Sequence, residues 1–131
     1  MKKSYKGIFV WVLLFITGYI PIILFIDTAS AATRLSLIYC SFMITLLSYA
    51  IYKYDKIYWY NGVMFEEAEN ATPEARNRYT YAHFKIFMRF TCFYIIFTAA
   101  AVYLGISMWI DIAIFLAGII ASAISTMKIK L

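Results

Sequence analysis

The sequence predicts an all-α integral membrane protein: a four-helix bundle of two antiparallel hairpins, with the third helix extended into the cytoplasm. Three observations carry this expectation. Hydrophobic residues make up 64% of the 131-residue chain and charged residues only 15%, where a soluble domain holds roughly 45–50% apolar residues. The apolar residues gather into four continuous runs. The cations gather almost entirely on one side of those runs. A chain of 15.2 kDa cannot hide so much apolar surface from water, because a short chain leaves a large fraction of its surface exposed. A soluble globular domain, a disordered tail and a disulfide-stapled module are therefore excluded. One domain over residues 1–131 is expected.

The four expected spans are Gly7–Ile26, Leu35–Tyr52, Ile86–Leu104 and Ile106–Met127. Each approaches the length of about 20 residues that crosses a hydrocarbon core of about 30 Å. Lipid leaves no backbone polar group hydrated, so such runs must be helices, and they lack the alternation of barrel strands. Lys2, Lys3 and Lys6 before the first run, with Ala29-Ser30-Ala31 after it, outline a secretory signal peptide. The apolar run exceeds the usual 7–15 residues or so, and an uncleaved first helix is expected. Thr17, Gly18 and Pro21 predict a kink in its outer third.

Orientation follows from the cations. Lys2, Lys3, Lys6, Lys53, Lys56, Arg76, Arg78, Lys85, Arg89, Lys128 and Lys130 share one side, and Arg34 stands alone on the other. The positive-inside rule places both termini and the central loop, between Lys53 and His83, in the cytoplasm; the plasma membrane is the expected location. The outer side is left with two short links, Asp27–Arg34 and a turn near Gly105. The net charge of +5 reads as this bias plus attraction to anionic headgroups. The lipid bilayer is thus the first expected partner, another membrane protein or a second copy the next, and nucleic acid is not expected.

In the central loop Tyr52, Tyr54, Tyr58, Trp59 and Tyr60 read as an interfacial aromatic belt. Asn61-Gly62 signals a turn. Glu66, Glu67 and Glu69 read as a solvated face rather than a cation site. Thr72-Pro73-Glu74 is a helix start, with a hydroxyl cap, proline in the first turn and an acid at the positive dipole end. A helix from Pro73 to Leu104 is about 48 Å long at 1.5 Å per residue. It overshoots the membrane by a few turns. Glu74 and Arg78 are spaced to pair. Arg78, Lys85 and Arg89 fall on one face and read as a stripe that reaches headgroups or a partner.

Inside the spans Asp111 stands out, because an ionised acid in lipid is costly and faces protein or water. Gly118 and Ser122 share its helical face, beside a small-residue row of Ala113, Ala117, Ala121 and Ser125. Together these read as a helix-packing interface. Arg34 and the hydroxyls of the second helix are the candidate partners of Asp111. In that helix Ser41, Thr45 and Ser48 form a polar row. Cys40 and Cys92 read as small apolar side chains. His83 lacks companion ligands, so no metal is expected, and no cofactor or catalytic motif is present. The chain is not expected to be an enzyme.

The stretch Tyr60–Leu104 carries Asn61, then Glu66-Glu67, then Arg78 and Tyr81 ahead of a long apolar helix. Over about a third of the chain it resembles small multi-span toxin-immunity membrane proteins and similar uncharacterised membrane proteins of Gram-positive bacteria. The resemblance implies an immunity role and carries no functional residue over. The expected function is helix–helix binding, as an immunity or accessory subunit of a membrane complex. The alternative is a small oligomeric transporter or channel using Asp111 for ion or proton coupling.

Overall fold

A computed structural model describes residues 2–60 and 62–131. Among them there are helices and no strands: α1 (Lys6–Thr17), α2 (Tyr19–Phe25), α3 (Ala29–Tyr54), a 3-10 turn (Ile57–Trp59), α4 (Phe65–Asn70), α5 (Pro73–Leu104) and α6 (Met108–Met127). Four helical stretches are long and apolar enough to cross a membrane, with α1 and α2 together forming the first.

The helix boundaries follow local chemistry. Thr72 Oγ1 accepts the Ala75 N–H at 3.2 Å, with Pro73 following in the first turn. At the far end Gly105 adopts φ 69° and stops α5, a left-handed conformation that costs glycine little. Ser107 Oγ accepts the Trp109 N–H at 3.3 Å and opens α6. The expected kink is a break at Gly18 between α1 and α2. Pro21 has no N–H for the Thr17 carbonyl, and Thr17 Oγ1 back-bonds to the Leu13 carbonyl at 2.8 Å. The Tyr39 ring lies against Gly18 where a Cβ would stand.

Two expectations need correction. The second helix starts at Ala29 rather than Leu35, because Ala29, Ala31 and Ala32 favour helix without any apolar run. Only 26–28 link α2 to α3, and Arg34 sits inside α3 rather than in a loop. The central segment is not an open loop either. Ile57, Tyr58 and Ala68 pack with Tyr79 of α5 into a buried cluster. Tyr58 therefore leaves the expected aromatic belt for a small core of its own, and the start of α5 is covered. The turn expected at Asn61-Gly62 involves Asn61, which lies outside the described residues.

This cap is tied down by polar contacts. Tyr58 Oη accepts the Ser4 N–H at 2.8 Å, and Trp59 Nε1 donates to the Ser4 carbonyl at 2.9 Å. Arg76 Nε contacts both Asp55 carboxylate oxygens, at 3.1 and 2.9 Å. Its Nη1 donates to the carbonyls of Ala68 at 3.2 Å and Ala71 at 2.6 Å. Arg76 thus joins the ends of α3 and α4 to the start of α5. Glu74 and Arg78 form no ion pair; among the described residues Arg76 takes the pairing role. Glu67 accepts the Met64 N–H at 3.2 Å and caps α4, so this acid closes a helix end.

The core proper lies where α5 packs against α3 and α6. Tyr52 meets Tyr81, Tyr49 meets Phe84 and Thr45 meets Thr91. Phe90, Tyr94 and Phe115 form its aromatic centre. Outside, apolar side chains face outward: Phe9, Ile23 and Phe25 from the first stretch, and Trp109 and Ile120 from α6. Hydroxyls share the interior with the aromatic centre, while hydrocarbon covers the outside.

The Arg76 linkage makes a testable prediction. Asp55 is half exposed, so its ion pair contributes little after screening; the two carbonyl bonds dominate. Arg76→Ala should cost about 1–3 kcal/mol locally and speed proteolysis between Asp55 and Thr72 several-fold, as read by fragment mass. Unchanged cleavage would refute the role.

Candidate functional site

Asp111, on the first turn of α6, is a fully buried carboxylate at 0% exposure. Its Oδ2 lies 3.3 Å from Arg34 Nε of α3 and accepts a short hydrogen bond from Thr98 Oγ1 of α5. Arg34 Nη2 also donates a short bond to the Ile106 carbonyl, just ahead of α6. One carboxylate thereby joins three helices near the ends of α5 and α6. Sequence reading reached Arg34 as a partner. It missed Thr98, which sits six residues before the end of α5; its small polar side chain in an apolar run was the available signal.

The pairing is incomplete. Arg34 Nε is within ion-pair distance but forms no hydrogen bond, and Asp111 Oδ1 and Tyr94 Oη are buried without partners among the described residues. Buried polar atoms nearly always find partners, so this centre holds unused bonding capacity. A groove of about 610 Å³ runs beside it between α3 and α5, lined by Arg34 and Thr98 together with Leu35, Ile38, Ile95 and Val102.

The hydroxyl row of α3 is buried as a set: Ser41, Thr45 and Ser48 all face inward. Thr45 Oγ1 lies 2.7 Å from Thr91 Oγ1, and Thr91 Oγ1 donates to the Ser41 carbonyl at 3.0 Å. Ser41 Oγ donates to the Ile38 carbonyl at 2.9 Å. These hydroxyls stitch α3 to α5 and leave no chain of ionisable groups between the two ends.

Ser48 differs from its neighbours. It borders a cavity of about 270 Å³ at the opposite end from Asp111, together with Tyr60, His83 and Thr126. His83 Nδ1 lies 2.9 Å from the Tyr79 carbonyl oxygen, and its ring stacks on Tyr60 at 4.3 Å between centroids. Tyr60 Oη is buried and unpartnered among the described residues. Burial pushes the Tyr60 phenol above its ordinary value, so the group keeps its proton and remains a donor.

On α6 the expected packing face divides. Gly118 lies under the Phe90 ring, where a Cβ would collide, and Ser122 is buried. Both serve contacts within the chain. Ala113, Ala117, Ala121 and Ser125 are exposed, so this row faces outward. Arg78, Lys85 and Arg89 are exposed as a stripe, with Lys85 Nζ 4.9 Å from the Tyr81 ring centroid.

No family model, curated protein or solved structure matches the chain.

The ion pair gives a sharp energetic prediction. Asp111→Leu should destabilise the bundle by about 3–5 kcal/mol, because Arg34 is left buried and unpaired. The Arg34→Met, Asp111→Leu double variant should recover most of that loss in a denaturation series in detergent. A double variant as unstable as the single one would show that the pair does not govern stability.

Proposed function

We propose that the chain is a multi-pass plasma-membrane protein that acts by helix–helix binding, as an immunity or accessory subunit of a membrane complex. In this reading the four apolar stretches form two antiparallel hairpins. Both termini and the segment from Lys53 to His83 face the cytoplasm, where the first turns of α5 stand clear of the bilayer. The anionic headgroups of that leaflet meet Arg78, Lys85 and Arg89. Support comes from the outward-facing hydrocarbon of all four stretches and from the eleven cations that gather at one end while Arg34 sits at the other.

One observation carries the binding role. Asp111, Phe115 and Ser122 of α6 are buried, while the row of Ala113, Ala117, Ala121 and Ser125 is exposed and offers a shallow strip beside the bulkier outward side chains Trp109, Leu116 and Ile120. Small side chains let a second backbone approach closely, where van der Waals packing drives association in lipid. The partner is another membrane protein or a second copy. Ion coupling through Asp111 has one supporting feature, its free Oδ1. The adjacent Arg34 guanidinium opposes a bound cation, and the hydroxyls beyond are engaged.

Two measurements test this. In a Cys40→Ala, Cys92→Ala background, Ser107→Cys should react with an impermeant maleimide on intact cells. Glu67→Cys should react only after permeabilisation, and the reverse pattern overturns the topology. Ala117→Leu with Ala121→Leu should reduce recovery of the stoichiometric partner in mild detergent by about tenfold, equivalent to roughly 1.4 kcal/mol. Equal recovery with unchanged labelling overturns the proposed surface. Gly118 is unsuited to this test, since a side chain there strikes Phe90 within the chain.

A further inference from the structure

The cavity of about 270 Å³ among α3, α5, α6 and the Tyr60 segment has a definite chemical character. Ser48 and His83 are buried, at 3% and 5% exposure, and form a polar floor. Ile44, Leu47 and Phe87 are half-exposed and form an apolar mouth. Among the described residues no Asp, Glu, Lys or Arg lines it. We infer that this cavity binds the headgroup of an uncharged, hydroxyl-bearing lipid, which enters head first and leaves its hydrocarbon at the mouth.

The hydrogen-bond inventory selects that class. His83 Nδ1 faces a carbonyl oxygen at 2.9 Å. A carbonyl only accepts, so Nδ1 carries the hydrogen and Nε2 of the neutral ring is an acceptor. Nε2 makes no hydrogen bond among the described residues. Tyr60 Oη, buried without a partner among them, supplies a donor. An alcohol satisfies both, donating to Nε2 and accepting from Tyr60 Oη. A phosphate or carboxylate head would bring a charge with no counter-ion along the lining, and burying an unpaired charge is strongly unfavourable. The volume holds several water-sized groups, in keeping with a glycerol head. Its hydrocarbon would lie against Ile44, Leu47 and Phe87.

Tyr60→Phe is the discriminating variant, because among the described residues the lost hydroxyl has no close hydrogen-bond partner and only a loose contact with Ser48. Binding of radiolabelled dioctanoylglycerol to the full-length protein in detergent should be saturable, at one site. It should weaken about three- to tenfold in Tyr60→Phe, the effect of one hydrogen bond, with the melting temperature of the lipid-free protein unchanged. Ser48→Val should weaken it further. Dioctanoyl phosphatidate, which has the same chains and an anionic head, should fail to compete. Absence of saturable binding, equal affinity in Tyr60→Phe, or competition by the phosphatidate would each overturn the inference. The test involves neither the outward row of α6 nor the partner proposed for it, so its failure leaves that reading standing.

Discussion

The buried carboxylate of Asp111 is the constraint around which the bundle is arranged. In a hydrocarbon setting an unpaired charge is costly enough that it must be met before the helices pack. Arg34 and Thr98 meet it from two other helices. The consequence is geometric. Three segments far apart in sequence are brought to one point near their ends, and the angle between them is limited by the reach of short side chains. From that point inward the contacts need only be close, and hydroxyls and aromatic rings provide them. The helix that lacks such a tie, α1 with α2, lies on the periphery and buries none of its residues. It is held by Trp11 Nε1 donating to the Met43 carbonyl at 2.7 Å and by Tyr39 against Leu14.

The opposite end solves a different problem. There α5 runs past the apolar part of its neighbours, and its first turns would present Tyr79 and His83 without cover. Residues 57–60 and 62–70 fold back over them, and Arg76 fixes that fold by bonding the carbonyls that end α4. Free carbonyls at a helix end need donors, and a guanidinium supplies several in a fixed fork. The N-terminal segment joins the same assembly through Ser4, with Gly7 admitting the Trp59 ring to within 2.5 Å of where a Cβ would stand. Residues far apart in the chain thus form one cap.

What could be read from the sequence divides along physical lines. Pro73–Leu104 was legible to the residue, because threonine, proline and glycine mark its ends by local chemistry that needs no tertiary context. The apolar runs gave the four helical stretches for the same reason. The start of α3 was not legible by hydropathy, because its first turns are alanine, serine and threonine and their helicity comes from propensity. The fold of the central segment was hidden altogether: its tyrosines have the composition of an interfacial belt, and only the position of Tyr79 above the bundle makes Tyr58 a core residue. On α6 the helical spacing put Gly118 and Ser122 on the face of Asp111. It did not separate them from the adjacent row, because small residues mark close approach without naming the neighbour.

The two ends also differ in what they leave available, and this bears on how a chain of this size could act. At the Asp111 end the charge is held by a neighbouring guanidinium, so the free Oδ1 sits in a field that opposes cations. At the other end the free groups are neutral. Between them Ser41, Thr45 and Thr91 spend their hydroxyls on backbone carbonyls and on one another. A proton or ion would have to break those bonds in succession. Conduction through one copy is therefore opposed by the same contacts that hold α3 to α5. A bundle whose interior is committed to its own cohesion retains its outer surface and its terminal cavity for recognition, and these carry the binding roles proposed above.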